Sequence, residues 1–317
     1  MQHADRIRAV ARDPSASGRS ALFASWARCL TRYKLDPLDA RPPRTLTDGE
    51  LAAARGELGS LLSTAGGTLD RLFAAVGGSG CCVLFTDCNG VPVDRRGASG
   101  DDETFHRWGL WPGAVWSEEA EGTNGIGTCL AEGRALVIHR DQHFHDRNTG
   151  LSCAVAPIHD HRGRLVAALD VSSCRNDLTE DFTRLIAAAV ADAARRIEAR
   201  HFTTSFPAAR IVLAPDSEWG AGALLAVGQN DMVVGATWAA RQACGITDAM
   251  LERMLPAQSV LSPALAERED LALAERGVLQ RALARTGGNV SAAAKALGIS
   301  RATLHRKMRR AALGSGR

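Results

Sequence analysis

The segment at residues 116–133, WSEEAEGTNGIGTCLAEG, combines residue types that suit the binding of a small molecule. Its three closely spaced glycines allow the backbone to approach a neighbouring group, because glycine has no Cβ. Thr123 and Asn124 add a hydroxyl and an amide, and small-molecule sites combine apolar walls with a few such polar groups. The sequence therefore predicts a pocket beside this segment. In the alternative, the segment only closes a turn, and Thr123 and Asn124 satisfy backbone groups.

Histidine is the second residue type that could do chemistry, because five of the nine histidines fall within 23 residues. They are His139, His143, His145, His159 and His161. His143 and His145 alternate along an extended segment, so both rings could point to one side. Imidazole is a preferred ligand of metals and haem iron, and a haem- or metal-dependent gas or redox sensor is therefore the alternative function. His159 and His161 are expected to flank a hairpin tip and to be exposed to solvent.

Catalysis has little support in the sequence. Cys153 and His143 could meet, but neither a nucleophile-elbow nor a cysteine-protease motif surrounds them. The glycine order differs from the dinucleotide-binding fingerprint, and the C-x-x-C pairs of a zinc ribbon are missing. We expect the eight cysteines to be small buried residues, with a redox role for Cys81 and Cys82 as the alternative. We therefore expect no enzyme, no bound metal and no cofactor.

Length and composition predict a soluble globular protein of more than one domain, with 317 residues, 45% of them hydrophobic and 23% charged. No stretch approaches the roughly 18 apolar residues of a membrane helix, and the start MQHADRIRAVARD lacks a signal-peptide core. We expect a cytoplasmic protein that does not act at a membrane.

Charge is distributed unevenly along the chain. The net charge is +3, yet residues 276–317 carry ten basic and no acidic side chains, which leaves −7 on the rest. A basic end on an acidic body indicates a polyanion partner at that end.

Three helices are predicted in this basic region. The first stops at Gly287 and Gly288, Asn289 caps the second, and Ser300 caps the third. This spacing is typical of a helix-turn-helix whose last helix enters a DNA major groove, where Arg301 could contact guanine. The predicted DNA-binding residues are Asn289, Ser291, Ser300, Arg301, Thr303, Arg306 and Lys307. The alternatives are a basic helical hairpin without a ligand and an architectural protein that bends DNA.

The rest of the chain predicts an α+β fold. Apolar residues recur at helical spacing in RSALFASWARCLTRY, Thr47 and Glu50 predict a capping box before a long helix, and Asp177 and Glu180 predict another helix start. Between these helices, CCVLFTDCNGVPVDRR predicts a hairpin, and ALVIH, SCAVAPIHD and RLVAALDVSS predict strands. We expect a sandwich with the helices on one face of a sheet. HFTTSFPAAR is typical of a linker, and a strand, turn, strand and helix follow it. Ser262 and Pro263 predict the next helix start.

The segment GGNVSAAAKALGISRATLHRKM resembles the C-terminal Fis-type helix-turn-helix domain of bacterial regulators. The resemblance implies that the chain binds double-stranded DNA as a homodimer, on a roughly twofold operator. His305 stands where that family commonly has Tyr or Arg.

The motifs WSEE, GTNGIGT, HF, CAVAPI and GRLVAALDVS resemble the sensor region of acetoin-catabolism-type activators, which are sigma-54-dependent enhancer-binding proteins. This resemblance implies a GAF domain, followed by a small PAS-like segment. The implied effector is a small polar metabolite such as a diol, hydroxyketone or short alcohol. The predicted ligand-binding residues are Trp116, Thr123, Asn124, His143, Phe144 and Cys153.

The chain departs from those activators, which place an ATPase between the sensor and the helix-turn-helix. A phosphate-binding loop requires G-x-x-x-x-G-K-[S/T], and the lysines at positions 34, 295 and 307 do not follow such a loop. We therefore predict a transcriptional regulator without ATPase activity, with RNA polymerase or a partner activator as a further partner. The predicted domains are an N-terminal helical segment (1–46), a GAF sensor domain (47–200), a PAS-like segment (201–260) and an all-α Fis-type helix-turn-helix domain (261–317).

Overall fold

The computed structural model describes residues 3–11, 20–175, 177–215, 222–262 and 271–311. The chain divides into two compact units, Met1–Ala257 and Gln258–Arg317. None of the helices in the described ranges is long and apolar enough to cross a membrane.

The first unit contains a five-stranded antiparallel sheet in the order β2-β1-β5-β4-β3. Its strands are β1 (Cys81–Asp87), β2 (Pro92–Arg96), β3 (Leu136–His139), β4 (Ser152–His159) and β5 (Leu165–Ser173). The predicted hairpin is confirmed, because β1 pairs with β2 across a turn in which Gly90 has a φ of 78°. β5 pairs with β1 on one side and β4 on the other, so it is the central strand.

The α-helices that surround this sheet include two long ones. In chain order they are α1 (His3–Ala11), α2 (Ala21–Thr31), α3 (Asp48–Val76), α4 (Asp102–Arg107), α5 (Glu118–Glu121), α6 (Gly125–Glu132) and α7 (Glu180–Ser205). The predicted capping box of α3 is confirmed: the Glu50 N–H donates to Thr47 Oγ1, and the Thr47 N–H donates to the Glu50 carboxylate. The predicted start of α7 at Asp177 is wrong. Thr179 caps α7 by accepting from the Phe182 N–H, and Asp177 instead pairs with Arg175.

The long helices α3 and α7 pack against one face of the sheet, as the α+β class requires. Their apolar residues recur at helical spacing, as Leu61, Ala65, Leu69, Leu72 and Val76 do in α3, and they meet the residues of one face of each strand. Burial of these side chains is the main source of stability for this layer.

The opposite face carries a second layer that the sequence did not predict. The short helices α4, α5 and α6, with the loops between them, cover a core formed by alternate residues of the central strands. This core includes Cys82, Leu84, Phe105, Leu110, Trp116, Ile126, Cys129, Leu151, Cys153, Val155 and Ala168. The glycine-rich segment lies in this layer, and both faces of the sheet are therefore buried.

The end of the first unit is a small antiparallel sheet with short helices. It contains β6 (Arg210–Leu213), β7 (Leu224–Val227), β8 (Val233–Ala236), α8 (Trp238–Cys244) and α9 (Asp248–Glu252). The predicted order of strand, turn, strand and helix is confirmed by β7, β8 and α8. The segment interpreted as a linker is helical over residues 201–205, because α7 continues to Ser205 and buries His201 and Phe202.

The second unit is helical, with α10 (Ala257–Leu261) at its boundary, followed by α11 (Leu271–Arg285), α12 (Val290–Ala296) and α13 (Arg301–Arg310). Its core contains Leu279, Ala282, Ala293, Ala294, Leu304 and Met308. The alanines of α12 allow close packing against α13 because their side chains are small. The helix predicted to start at Ser262 and Pro263 would run into residues 263–270, which lie outside the described residues.

Candidate sensory site and DNA-binding surface

The glycine-rich segment lets α6 approach the sheet. A Cβ on Gly125 would lie 2.6 Å from the Cβ of Cys153 and 2.7 Å from Cγ2 of Val155. A Cβ on Gly127 would lie 2.4 Å from the backbone nitrogen of Glu118, so this position also excludes a side chain. The close approach that the glycines permit is thus between α6 and its own protein neighbours.

The side chains of Trp116 and Asn124 are buried and bonded to the backbone. The Trp116 indole N–H donates to the Gly109 carbonyl at 2.8 Å. Asn124 caps α6 by accepting from the Gly127 N–H at 2.8 Å, and its Nδ2 donates to the carbonyls of Trp116 and Gly122. These contacts match the turn-closing alternative for Asn124. A ligand-binding role for either side chain stays a prediction.

Thr123 connects the glycine-rich segment to the N-terminal helix α2. Its Oγ1 lies 2.6 Å from Ser25 Oγ, and Ser25 donates to the Glu118 carboxylate at 2.8 Å. Arg28 pairs with the buried Glu118 and also with Glu132. The hydrogen bond to Glu118 raises the pKa of Arg28 above its ordinary range, so this guanidinium stays charged. Arg28 of α2 therefore forms ion pairs with both ends of the glycine-rich segment, at Glu118 and Glu132.

The side chains of His143 and Cys153 are in contact, whereas the side chain of Phe144 packs elsewhere. His143 Nδ1–H donates to the Arg140 carbonyl at 2.9 Å, which leaves Nε2 as an acceptor 3.6 Å from Cys153 Sγ. Burial lowers the pKa of His143 to about 4, so its ring is neutral near pH 7. Phe144 instead packs with Ile7 and Trp26 of the N-terminal helices.

Asp170 is a buried carboxyl group that the sequence interpretation missed. Its Oδ2 accepts a hydrogen bond from Ser172 Oγ at 2.6 Å, whereas Oδ1 has no partner among the described residues. Burial raises the pKa of Asp170 from 3.8 to about 7. One feature of the sequence could have indicated it, since Asp170 is the only charged residue in the strand LVAALDVSS.

A chain of polar contacts runs from Asp170 to the N-terminal helices. Ser172 Oγ lies 3.1 Å from Cys153 Sγ, and Cys153 in turn contacts His143. The carbonyl of His143 accepts from His3 Nε2 at 2.9 Å. The central strand β5 is thereby connected to the loop that α1 covers.

The other clustered histidines occupy separate environments. His159 is buried, its Nδ1 lies 2.8 Å from the Glu198 carboxylate, and its ring stacks on Trp238 with centroids 4.7 Å apart. The prediction that His159 is exposed is therefore wrong, because α7 and α8 both extend over the hairpin tip. His161 is half-buried beside His201. Within the described ranges, no three His, Cys, Asp or Glu side chains are arranged to hold a metal ion.

Most of the cysteines in the first unit are buried. Cys29, Cys81, Cys82, Cys129 and Cys153 are inaccessible, whereas Cys88 is exposed. Burial raises the pKa of both Cys81 and Cys82, which makes their thiolates scarce near pH 7.

The second unit has the predicted helix caps. Asn289 Oδ1 accepts from the Ala292 N–H at 3.0 Å, and Ser300 Oγ accepts from the Thr303 N–H at 3.1 Å. The chain stops at Gly287 and Gly288 with φ of 59° and 82°, the left-handed conformation that ends α11. The three helices α11, α12 and α13 thus have the helix-turn-helix boundaries that the sequence predicts.

The exposed surface of α13 is strongly basic. Arg301, Arg306, Arg309 and Arg310 are exposed, and Leu304 and Met308 face the core on the other side of the helix. Ser291 is also exposed, and Thr303 is half-buried with its Oγ1 2.9 Å from Ser300 Oγ. Lys307 differs from the arginines because it pairs with Glu275 of α11. The DNA-binding roles of these side chains stay predictions.

Comparison with known families agrees with this division. Residues 60–197 match the GAF domain family, and residues 270–310 match the bacterial regulatory protein, Fis family. The chain therefore combines a GAF domain with a Fis-type helix-turn-helix domain, the domain set of GAF-containing bacterial transcriptional regulators. The predicted GAF and Fis-type domains are thereby confirmed, and no phosphate-binding loop occurs in the sequence between the two matches.

Two of the relatives are named as regulators of acetoin metabolism. The acetoin catabolism regulatory protein of Cupriavidus necator is 36% identical over 178 residues, which are 56% of this chain and 27% of the relative. The acetoin dehydrogenase operon transcriptional activator AcoR of Bacillus subtilis is 30% identical over 178 residues, again 56% of this chain and 29% of the relative. The aligned region is thus less than a third of the length of either relative.

A solved structure shares the fold at low identity. The protein in the E. coli DhaR(N)–DhaL complex matches with a TM-score of 0.50 and 15% identity, over 72% of this chain and 76% of the matched chain.

Proposed function

We propose that the chain is a DNA-binding transcriptional regulator, without enzymatic activity, whose GAF domain senses a small molecule. The observation that carries the proposal is the exposed face of α13, which presents Arg301, Arg306 and Arg309 to solvent. Leu304 and Met308 of the same helix are buried in the core of the second unit. A cationic second helix of a helix-turn-helix is suited to a major groove and its flanking phosphates. Such a protein acts in the cytoplasm, where the DNA is.

The proposed complex is a homodimer on a twofold operator with half-sites about one DNA turn apart. It is supported by Leu271 and Val278 of α11, which are 86% and 43% exposed and lie seven residues apart on one face of the helix. In sedimentation equilibrium, the full chain is expected at twice its mass of 33.6 kDa, and Val278→Glu is expected to give the monomer.

The regulator is proposed to act without ATP hydrolysis, by occupying DNA or by contacting RNA polymerase or a partner activator. Its support is the 198–269 region between the family matches, which contains no lysine and hence no phosphate-binding loop. An in vitro transcription assay tests this proposal. ATP-dependent activation of sigma-54 polymerase by this chain alone would contradict it.

The effector is proposed to be a small polar metabolite, such as a diol, hydroxyketone or short alcohol. Support comes from the relatives, which are named for acetoin catabolism and acetoin dehydrogenase. Binding is proposed to shift α7 and the helices at the edge of the GAF domain, and thereby to change the spacing of two helix-turn-helix domains.

Fluorescence anisotropy of the full chain on a labelled duplex at several salt concentrations tests DNA binding. Wild type is expected to bind with an affinity that falls linearly with salt on a logarithmic plot, because arginines displace counterions. The double variant Arg306→Ala with Arg309→Ala is expected to lower that slope by about 2. The control pair Arg107→Ala with Arg184→Ala removes two exposed arginines of the first unit and is expected to change nothing. Equal slopes for all three proteins would contradict the proposal.

A further inference from the structure

Asp170 occupies the middle of the central strand, on the face that α6 covers. Its direct neighbours in the sheet register are Leu84 of β1 and Val155 of β4, both apolar. A Cβ on Gly125 would lie 3.4 Å from Asp170 Oδ1, so this oxygen is directed at the start of α6. One carboxylate oxygen therefore lies between the sheet and a helix, beside the apolar residues Leu84 and Val155.

Oδ1 makes no hydrogen bond with the described residues. Ser172 Oγ is engaged with Oδ2, and the nearby Cys153 thiol is itself in contact with Ser172 and His143. Burial and the Ser172 hydrogen bond are the causes of the pKa shift of Asp170, and no positive charge contributes to it. Buried polar atoms without partners are costly, so Oδ1 calls for a partner such as a water, an ion or a ligand.

We propose that Asp170 Oδ1 accepts a hydrogen bond from a small effector that carries a hydroxyl or amine group and no negative charge. The effector would lie between β5 and the Gly125 end of α6. The proposal rests on the proposed sensing function and names the chemistry of its ligand. At pH 8, where Asp170 is ionised, carboxylates and phosphates are excluded because they would place a second negative charge beside it without a compensating cation.

A ligand bound at this position would change contacts elsewhere in the first unit. Gly125 is already in close contact with Cys153 and Val155, so a ligand beside Oδ1 must displace the start of α6. That start is capped by Asn124, and the preceding Thr123 contacts Ser25 of α2. Movement of α6 therefore changes the contacts of the N-terminal helices, which is a means of reporting the ligand.

Thermal unfolding of the full chain with matched probes tests the proposal. The donor probes are ethylene glycol, 1,2-propanediol and ethanolamine, and the anionic counterparts of similar size are glycolate and lactate. At about a hundred times its Kd, a probe is expected to raise the Tm by about 5 °C through mass action. We expect at least one donor probe to raise the Tm in this way, and we expect glycolate and lactate to leave it unchanged.

Two variants and a control identify Asp170 as the acceptor. Asp170→Val removes the oxygen beside Leu84 and Val155, and it is expected to abolish the shift while keeping or raising the Tm of the free protein. Asp170→Asn keeps the side-chain volume in case the valine variant does not fold. At pH 8, where the Asp170 carboxyl is ionised, this variant is expected to need at least about tenfold more probe than wild type, because a neutral acceptor binds more weakly. Ser172→Ala keeps Oδ1 and is expected to keep the shift. The absence of a shift with every donor probe, or an equal shift in Asp170→Val, would overturn the proposal.

The DNA-binding assay separates this inference from the proposed function. Donor-probe binding by a protein that does not bind DNA would refute the proposed function and leave the ligand chemistry standing. DNA binding by a protein that no donor probe stabilises would refute the inference alone.

Discussion

Gly125 at the start of α6 stands directly against Cys153 of β4: a Cβ at position 125 would lie 2.6 Å from the Cβ of Cys153. This contact sets the distance between α6 and the sheet, and it explains why the sequence places glycine there. It also fixes the position of α6 relative to Asp170, whose Oδ1 lies just beyond. A residue needed for close packing is thus next to the carboxyl group proposed to meet the effector.

Gly125→Ala is expected to destabilise the first unit by about 1–3 kcal/mol, because the added methyl group overpacks the contact with Cys153 and Val155. The measurement is the free energy of unfolding in urea. Gly66→Ala in α3 is the matched control, since a Cβ there meets nothing within 4 Å. That variant is expected to be more stable than wild type by about 0.5–1 kcal/mol. Equal effects of the two substitutions would show that α6 does not pack as closely as described.

Stability is expected to depend on pH through Asp170. Its pKa is about 7 in the folded protein and 3.8 ordinarily, so the folded chain keeps a proton that the unfolded chain has released. The contribution of Asp170 to the free energy of unfolding is therefore fully present below about pH 4. It is lost as the pH rises to about 7, by at most about 1.4 kcal/mol for each pH unit. Asp170→Asn is expected to remove this dependence, measured as the difference between the two proteins in urea unfolding.

Other titratable groups near Asp170 do not cancel that difference. Cys82, Cys129 and Cys153 have pKa values raised by burial and stay protonated throughout. His143, with its pKa lowered to about 4, contributes the opposite slope between about pH 4 and 6.5 in both proteins. A difference that stays constant from pH 4 to 7 would contradict the assignment to Asp170.

Arg301 and Arg306 are expected to contribute differently to DNA binding. Arg301→Ala is expected to cost about 1–3 kcal/mol on the preferred site and little on other sequences, because its position at the tip of α13 suits a guanine contact. Arg306→Ala is expected to weaken binding to all sequences alike and to lower the salt slope by about 1. Competition titrations with specific and mutated duplexes measure both effects. Identical behaviour of the two variants would show that Arg301 does not contact bases.

Lys307 is expected to be only partly available to DNA, since it pairs with Glu275. Glu275→Gln removes that partner together with a negative charge on the helix-turn-helix unit. We expect tighter DNA binding and a salt slope steeper by about 1, because Lys307 becomes able to displace a counterion. Lys307→Ala is expected to lower the affinity for DNA. In a protein that already carries Lys307→Ala, adding Glu275→Gln is expected to leave the salt slope unchanged. An unchanged slope in Glu275→Gln would show that Lys307 lies away from the phosphates.

Local interactions made part of the fold predictable. Thr47, Asn289 and Ser300 were identified as helix caps because a cap depends on residues within one turn, and the structure has all three. The position of His159 was not predictable, since it depends on α7 and α8, which are distant in sequence. The site was partly predictable: His143 and Cys153 do meet, but the importance of Asp170 depends on a register that places it between Leu84 and Val155.

Sequence-specific DNA binding by the full chain can be measured by selecting sites from a random-sequence duplex pool. We expect enrichment of a site with twofold symmetry and half-sites about one DNA turn apart, and we expect Arg301→Ala to relax the preference at one position of each half-site. A pool that remains random after selection would show that the chain does not read DNA sequence, and the same enriched site with Arg301→Ala as with wild type would show that Arg301 does not read it.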